Sequence, residues 1–263
     1  MSSPQLTPKM INPTAPGVPF GREVAVELRK LIGTRGPRVL LGLLVLIWVI
    51  TALVLLLTSG HLTFGDTLTG FSAVSRIFVG LLAILLVTGE WGQRAVMSVF
   101  TLEPRRERVI GAKLCAVLIG AVAIFVVAVA MAAAIVAIRG GSFDFAAAAF
   151  RMNGLRALFD VLMAFAIALA ILNTAGAVVG YLALPEIIMP LLLMLFTLPT
   201  AGNSGSNVYE SVAPWVYPQE MFRAFASTNV PGEAWAHLLV CAVLWIGLPA
   251  IIGVRRVMSS EVK

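Results

Sequence analysis

Two ionisable residues stand inside apolar runs, Arg76 in GFSAVSRIFVG and Asp160 in ALFDVLMAF. A charge in apolar surroundings is costly unless an opposite charge, a hydrogen bond or water meets it, so both positions ask for a partner. At matched depth, about a turn and a half from the ends of their runs, the two are placed to pair with each other. Arg156, four residues before Asp160, is the competing partner at helical spacing. If Arg156 takes Asp160, Arg76 is left to snorkel toward lipid headgroups. Asn173 and Thr174 lie late in the same run as Asp160, and their side chains suit hydrogen bonds between helices. Arg76, Asp160 and Asn173 are thus the polar residues available to a path through the chain.

No reactive constellation accompanies them. Cys115 and Cys241 lie in separate apolar runs and His61 and His237 are isolated, so neither a disulfide framework nor a zinc or haem site is expected. Paired carboxylates, a histidine cluster or a Ser/His set are also missing. The chain is expected to be no enzyme and to carry no cofactor of its own.

The elements that hold these residues follow from composition. Of 263 residues, 59% are hydrophobic and 12% charged, with a mean hydropathy of +0.96, well beyond a soluble domain. This implies an all-α polytopic membrane protein. The net charge of +6 would suggest nucleic acid in a soluble chain, but here the charges flank apolar runs and signal topology, so no nucleic-acid partner is expected. Six transmembrane helices are predicted over about 39–58, 70–88, 114–138, 157–179, 185–198 and 233–254. The first, at about 1.5 Å per residue, matches a hydrocarbon layer of roughly 30 Å. Pro185 and Glu186 fit the first turn of the fifth, where a missing donor costs nothing and a carboxylate suits the dipole.

Residues 1–19, with Pro4, Pro8, Pro13, Pro16 and Pro19, read as a disordered tail, and no secretory leader is expected there. Residues 20–263 then form one membrane domain. From Phe20 to Ile32 the apolar residues Phe20, Val24, Leu28, Leu31 and Ile32 recur at helical spacing beside Arg22, Glu23, Glu27, Arg29 and Lys30. This predicts an amphipathic helix lying along a membrane surface. Before the last span, residues 200–232 carry Trp215, Tyr217, Phe222 and Phe225, which favour the bilayer interface. Short helices dipping into one leaflet are expected there.

Basic residues separate onto alternate sides. Lys9, Arg22, Arg29, Lys30, Arg35, Arg38, Arg94, Arg105, Arg106, Arg108, Lys113, Arg255, Arg256 and Lys263 fall on one side, against Arg139, Arg151, Arg156 and Arg223 on the other. The positive-inside rule places both termini and the loop 90–113 in the cytoplasm, as expected of a bacterial cytoplasmic (inner) membrane protein. That loop, EWGQRAVMSVFTLEPRRERVIGAK, is the longest charge-dense interval between apolar runs. Gln93 to Phe100 suits a short helix with Val96, Val99 and Phe100 as apolar contacts. Thr101 to Pro104 breaks it, and Arg105 begins a helix leading into the third span. Such a loop suits contact with a soluble partner.

An amphipathic arm, Glu90 and Gly92 at the end of the second span, a short helix, the turn Glu103, Pro104, Arg105, Arg106, and Gly111 and Lys113 entering the third span together resemble a permease subunit of the type-2 ABC exporter superfamily. Arg94 and Ala95 stand where such chains usually carry Gly-Thr, and Glu103 where a small residue usually precedes the proline. The resemblance implies a homo- or heterodimer of permeases bound to a cytoplasmic ATPase that holds ATP and Mg. The chain has no G-x-x-x-x-G-K-[ST] loop, so that ATPase is another polypeptide. Glu90, Gly92, Gln93, Val96, Phe100, Glu103, Pro104, Arg105 and Arg106 correspond to the ATPase-coupling element. Phe20, Val24, Leu28, Arg29 and Lys30 correspond to the interfacial helix, and Val208 to Phe225 to outer re-entrant helices. The implied activity is ATP-driven export of an amphipathic or lipid-like substrate of the drug, lipid or glycan class. A mechanotransmitter without substrate passage and an ATP-independent secondary carrier are the alternatives.

Overall fold

In the computed structural model of the chain, residues 19–58, 60–92, 105–197 and 205–259 are described. They are almost entirely helical. In order, the helices are α1 (Phe20–Gly33), α2 (Arg35–Leu57), α3 (Phe64–Gly92), α4 (Arg106–Arg139), α5 (Ala146–Ile171), α6 (Thr174–Thr197), α7 (Gly205–Val216), α8 (Pro218–Arg223) and α9 (Gly232–Ser259). Among the described residues, six of them, α2 to α6 and α9, are long and apolar enough to cross a membrane. The chain is a multi-pass membrane protein.

Local signals explain the helix ends. Thr63 caps α3, its Oγ accepting from the Asp66 N–H at 3.2 Å and donating to Asp66 Oδ2 at 2.7 Å, a reciprocal cap that satisfies an orphan donor of the first turn. Gly140, at φ 61°, closes α4 in the left-handed conformation. Between α5 and α6 the chain reverses in two residues: Leu172 takes φ 54° and Asn173 Oδ1 accepts from the Gly176 N–H at 2.9 Å.

This turn corrects the expected fourth and fifth spans. The fourth helix ends at Ile171 rather than 179, and the fifth begins at Thr174 rather than 185. Apolar residues on both sides conceal a break that rests on one side-chain cap. Pro185 is accordingly inside a helix, not in its first turn. A π turn over Leu184–Ile188 contains it and precedes Pro190 by two residues, as a second over Val243–Gly247 precedes Pro249 in α9. Widening the turn relieves the clash of the Pro190 and Pro249 rings with the preceding carbonyls. Arg76, Asp160 and Glu186 consequently stand roughly midway along α3, α5 and α6, not near helix ends.

Helices α3 and α5 form the centre and pack most extensively on each other, with α4 against both. Phe71 and Leu68 of α3 are buried beside Leu44 and Trp48 of α2 and the small residues Ala128 and Ala132 of α4. Trp48 meets Phe71 edge to face and donates to Ser75 Oγ at 3.2 Å. The outward faces of α2, α6 and α9 expose leucine, isoleucine and valine along their length, the surface that lipid covers. Two glycines permit close approach. A methyl group on Gly80 would strike the Tyr181 ring, and one on Gly253 would strike α5 at Leu169.

Candidate functional site

Two polar clusters stand out in this apolar bundle, one at the end where α1, α3 and α4 meet and one halfway along the bundle. The first joins four charges of alternating sign. Lys30 Nζ lies 2.6 Å from Glu27 Oε1 and 2.5 Å from Glu90 Oε1, while Lys113 Nζ lies 3.1 Å from Glu27 Oε2 and 3.1 Å from Glu90 Oε2. Each carboxylate therefore bridges both lysines, and Lys113 also donates to the Leu86 carbonyl at 3.1 Å. Glu27 and Lys113 are each only 5% exposed. Isolated charges at that depth would be strongly unfavourable, so the closed arrangement of pairs and hydrogen bonds is the condition for their burial. Burial would lower the Lys30 pKa, but its hydrogen bonds to Glu27 and Glu90 and their negative charge raise it above the ordinary 10.5.

The arm packs lengthwise beside the start of α4. Arg108 Nη2 lies 3.3 Å from Glu23 Oε1, the Phe20 ring lies over Gly111, and Leu31 reaches Gly120. Its inward face is centred on Glu27 and Leu31, whereas Phe20 and Ile32 remain exposed. Sequence periodicity had put Phe20 and Ile32 on one apolar side with Leu31 and had put Glu27 elsewhere. Ion pairing to Glu90 and Lys113, distant in sequence, turns the helix. Val24 and Leu28 are half-buried and Arg29 is exposed.

Of the residues expected to couple to a partner, Glu90 is in the four-charge cluster and Gly92 ends α3. Arg105 precedes α4, and Arg106 Nη1 donates to the Val257 and Met258 carbonyls at 2.7 and 3.3 Å. It thereby caps the negative end of α9. Gln93, Val96, Phe100, Glu103 and Pro104 lie outside the described residues.

The second cluster surrounds a cleft between α3, α5 and α6. Asp160 pairs with Arg156, Nε to Oδ2 at 3.9 Å, and Arg76 Nη2 lies 3.7 Å from Glu186 Oε1. Arg76 and Asp160 line the same cavity of about 150 Å³ with Tyr181 and Glu186, without an ion pair between them. Arg76 does not snorkel away: its carbonyl accepts from Tyr181 at 3.0 Å and its guanidinium stays beside the cleft. Asn173 does not join this group. It caps α6 at the opposite end from the α6–α7 connection, exposed, and the expectation that it lines a path within a span is corrected by the break at Leu172.

Several residues here escaped the sequence reading. Gln219 of α8 donates to both Glu186 oxygens at 2.6 and 2.7 Å. Asn153 is buried and donates to Thr69 Oγ1 at 3.2 Å and to the Ala149 carbonyl at 2.9 Å. A usable signal existed: Thr69, Ser72 and Arg76, and likewise Asn153, Arg156 and Asp160, recur at three- and four-residue steps that put each set on one helix face.

Helix α8 borders one side of the cleft through Gln219. Phe222 is buried edge to face with Phe159 at 5.5 Å, and the Arg156 guanidinium sits 5.8 Å from its ring centre. Trp245 Nε1 donates to the Val216 carbonyl at 2.8 Å and Cys241 Sγ to the Trp215 carbonyl at 3.2 Å. Trp245 is about 20 Å along α9 from Gly232 at about 1.5 Å per residue. Among the described residues no group of histidine, cysteine and acidic side chains could hold a metal ion. No protein-family model matches the chain, and a search of curated proteins finds no match.

Proposed function

We propose that the chain is the membrane-spanning permease of an ATP-driven exporter of the type-2 ABC class. It would act as a dimer with a separate cytoplasmic ATPase and move an amphipathic substrate across a bacterial cytoplasmic membrane. The observation that carries this reading is the four-charge cluster of Glu27, Lys30, Glu90 and Lys113. It ties α1 to the end of α3 and the beginning of α4, the helices on either side of residues 93–104. A force applied to that segment would move both helices and the arm together. The depth reached by α7 and α8 alongside α9 supports reading them as re-entrant helices of the outer leaflet. The abundance of basic residues at the α1 end supports placing that end in the cytoplasm.

In this scheme the chain makes and breaks no covalent bond. Energy enters as the ATPase partner's different affinities for its own nucleotide states, and the bundle responds by shifting between packings. Affinity purification of the tagged protein from its host should retain an ATPase, and a charge introduced by V96E or F100E should release it without impairing membrane insertion. A tagged protein that is purified alone and transports without ATP would overturn the reading.

One observation favours a second reading. Secondary carriers place charges and interrupted helices near the middle of the membrane, and here Arg76, Asp160 and Glu186 lie midway along α3, α5 and α6, of which α6, like α9, contains a π turn. Uptake by vesicles containing only this chain, driven by an imposed proton or sodium gradient, separates the carrier from the ATP-driven permease.

A further inference from the structure

The face of α3 formed by Thr69, Ser72 and Arg76 meets that of α5 formed by Asn153 and Arg156 around a cavity of about 90 Å³, which adjoins the 150 Å³ cavity at Arg76. Both guanidiniums line the first cavity. Their ion pairs, at 3.7 Å to Glu186 and 3.9 Å to Asp160, exceed hydrogen-bonding distance. Arg156 Nε, Ser72 Oγ and Asp160 Oδ2 are buried without a hydrogen-bond partner, and Ser72 and Asp160 are only 8% and 6% exposed. Glu186, in contrast, already accepts twice from Gln219. The cleft therefore holds more unused donors than acceptors, since each guanidinium offers about five N–H groups.

A planar fork of donors fits an oxyanion, which accepts two parallel hydrogen bonds from it. We infer that this cleft holds the phosphate or carboxylate headgroup of an amphiphile, with Arg76 and Arg156 as paired anchors and Ser72 as an additional donor. The arriving oxyanion adds to the two long ion pairs, taking N–H groups that Asp160 and Glu186 leave open. At mid-height the second cavity meets the outside between α3 and α6, where Ile77 is 40% exposed and the Glu186 side chain 43%. Ile77, Leu182 and Pro185 give an apolar lining on that side. An attached alkyl chain remains there in the apolar layer while its headgroup enters sideways. The other approach, past Thr69 and Met152, leads to an opening of about 520 Å³ that carries Asp66 and Asp144. Carboxylates stand at both openings, Glu186 at the lateral one and Asp66 and Asp144 at the other, so the preference for a headgroup on a chain over inorganic phosphate rests on the apolar lining of the lateral opening.

The assignment names a substrate class for the permease reading and rests on that reading only for passage across the membrane. Binding is measured on the full chain in uncharged dodecyl maltoside, without ATPase, using dodecyl phosphate, inorganic phosphate and dodecyltrimethylammonium as probes. Dodecyl phosphate is expected to bind saturably and raise the melting temperature, and the other two to do neither. R76Q and R156Q should each weaken dodecyl phosphate binding about tenfold or more, the loss expected for a charge-assisted hydrogen bond. R76K and R156K keep the charge but lose the fork and should also bind more weakly; they decide the matter if the glutamine variants do not fold. Unchanged affinity in either pair of variants that fold, or equally tight binding of the alkylammonium, overturns the assignment. Inorganic phosphate binding as tightly as dodecyl phosphate overturns the amphiphile. Failure to retain an ATPase, with dodecyl phosphate binding intact, removes the export reading and leaves this site standing.

Discussion

Lys113, in the second turn of α4, and Glu27, on the helix preceding the first span, meet at 3.1 Å across 86 positions of sequence. Both are almost fully buried, so neither has water to fall back on. Replacing the lysine by methionine leaves Glu27 and Glu90 sharing only Lys30. K113M should lower stability by about 3 kcal/mol, the order measured when one partner of a buried pair is removed. Adding E27Q should recover part of this, because it removes the charge left over. Thermal unfolding of the two single variants and the double variant checks it; strictly additive losses would show that Glu27 and Lys113 do not act together.

Lys30 gives the arm a pH dependence with a definite sign. Its pKa in the folded chain is raised above 10.5: burial lowers it, but the hydrogen bonds to Glu27 and Glu90 and their charges outweigh burial. A raised basic group contributes stability that is full below its unfolded value and lost as pH climbs through the folded one. A nitroxide placed by R29C, with both native cysteines replaced, should stay immobilised to about pH 10.5 and gain mobility above it. K30M should abolish that alkaline transition. The same transition in K30M would assign it to another group.

Gly80 tests the approach of α3 and α6. Alanine has the higher helix propensity by about 1 kcal/mol, so an unhindered G80A would stabilise. Its new methyl group would meet the buried Tyr181 ring, and overpacking of this kind costs about 1–3 kcal/mol. The net effect should be destabilising, and G80A combined with Y181L should recover most of it in thermal unfolding. A more stable G80A single variant would mean the two helices separate readily.

Asn173 distinguishes a helix cap from a path residue. N173A should cost about 1 kcal/mol, whereas N173D retains an acceptor for the Gly176 N–H and should be close to neutral. Neither should change dodecyl phosphate affinity. A changed affinity at unchanged stability would return Asn173 to the path.

Six apolar spans were legible because burial in a membrane demands long uninterrupted apolar runs, and a helix ahead of them because apolar residues recur there at helical spacing. The Asp160–Arg156 pairing was also legible, since i,i+4 neighbours on one helix meet whatever the fold. The break between α5 and α6 was not. Leu172 and Asn173 interrupt no apolar pattern, and a left-handed leucine has no composition signature. Misplacing that turn put Glu186 at a helix start, and beginning the fourth span at about 157 put Asp160 near its end; both stand at mid-height once α6 is seen to begin at Thr174 and α5 at Ala146. Tertiary partners such as Gln219 for Glu186, or Glu27 for Lys113, depend on which helices adjoin and leave no trace in local spacing.

Arginines also fasten the ends of neighbouring helices to one another. At the end of the bundle with fewer basic residues, Arg139 donates to the Leu56 and Thr58 carbonyls closing α2, and Arg151 to those of Phe225 and Ser227. Arg223 pairs with Glu220 at 2.9 Å, and Arg156 with Asp160. Arg223 nevertheless keeps its side chain 78% exposed. The opposite end is built alike, Arg106 donating to the Val257 and Met258 carbonyls and Arg256 to those of Ala170 and Ile171, so arginines fasten one helix end to another at both faces of the bundle while keeping their charge.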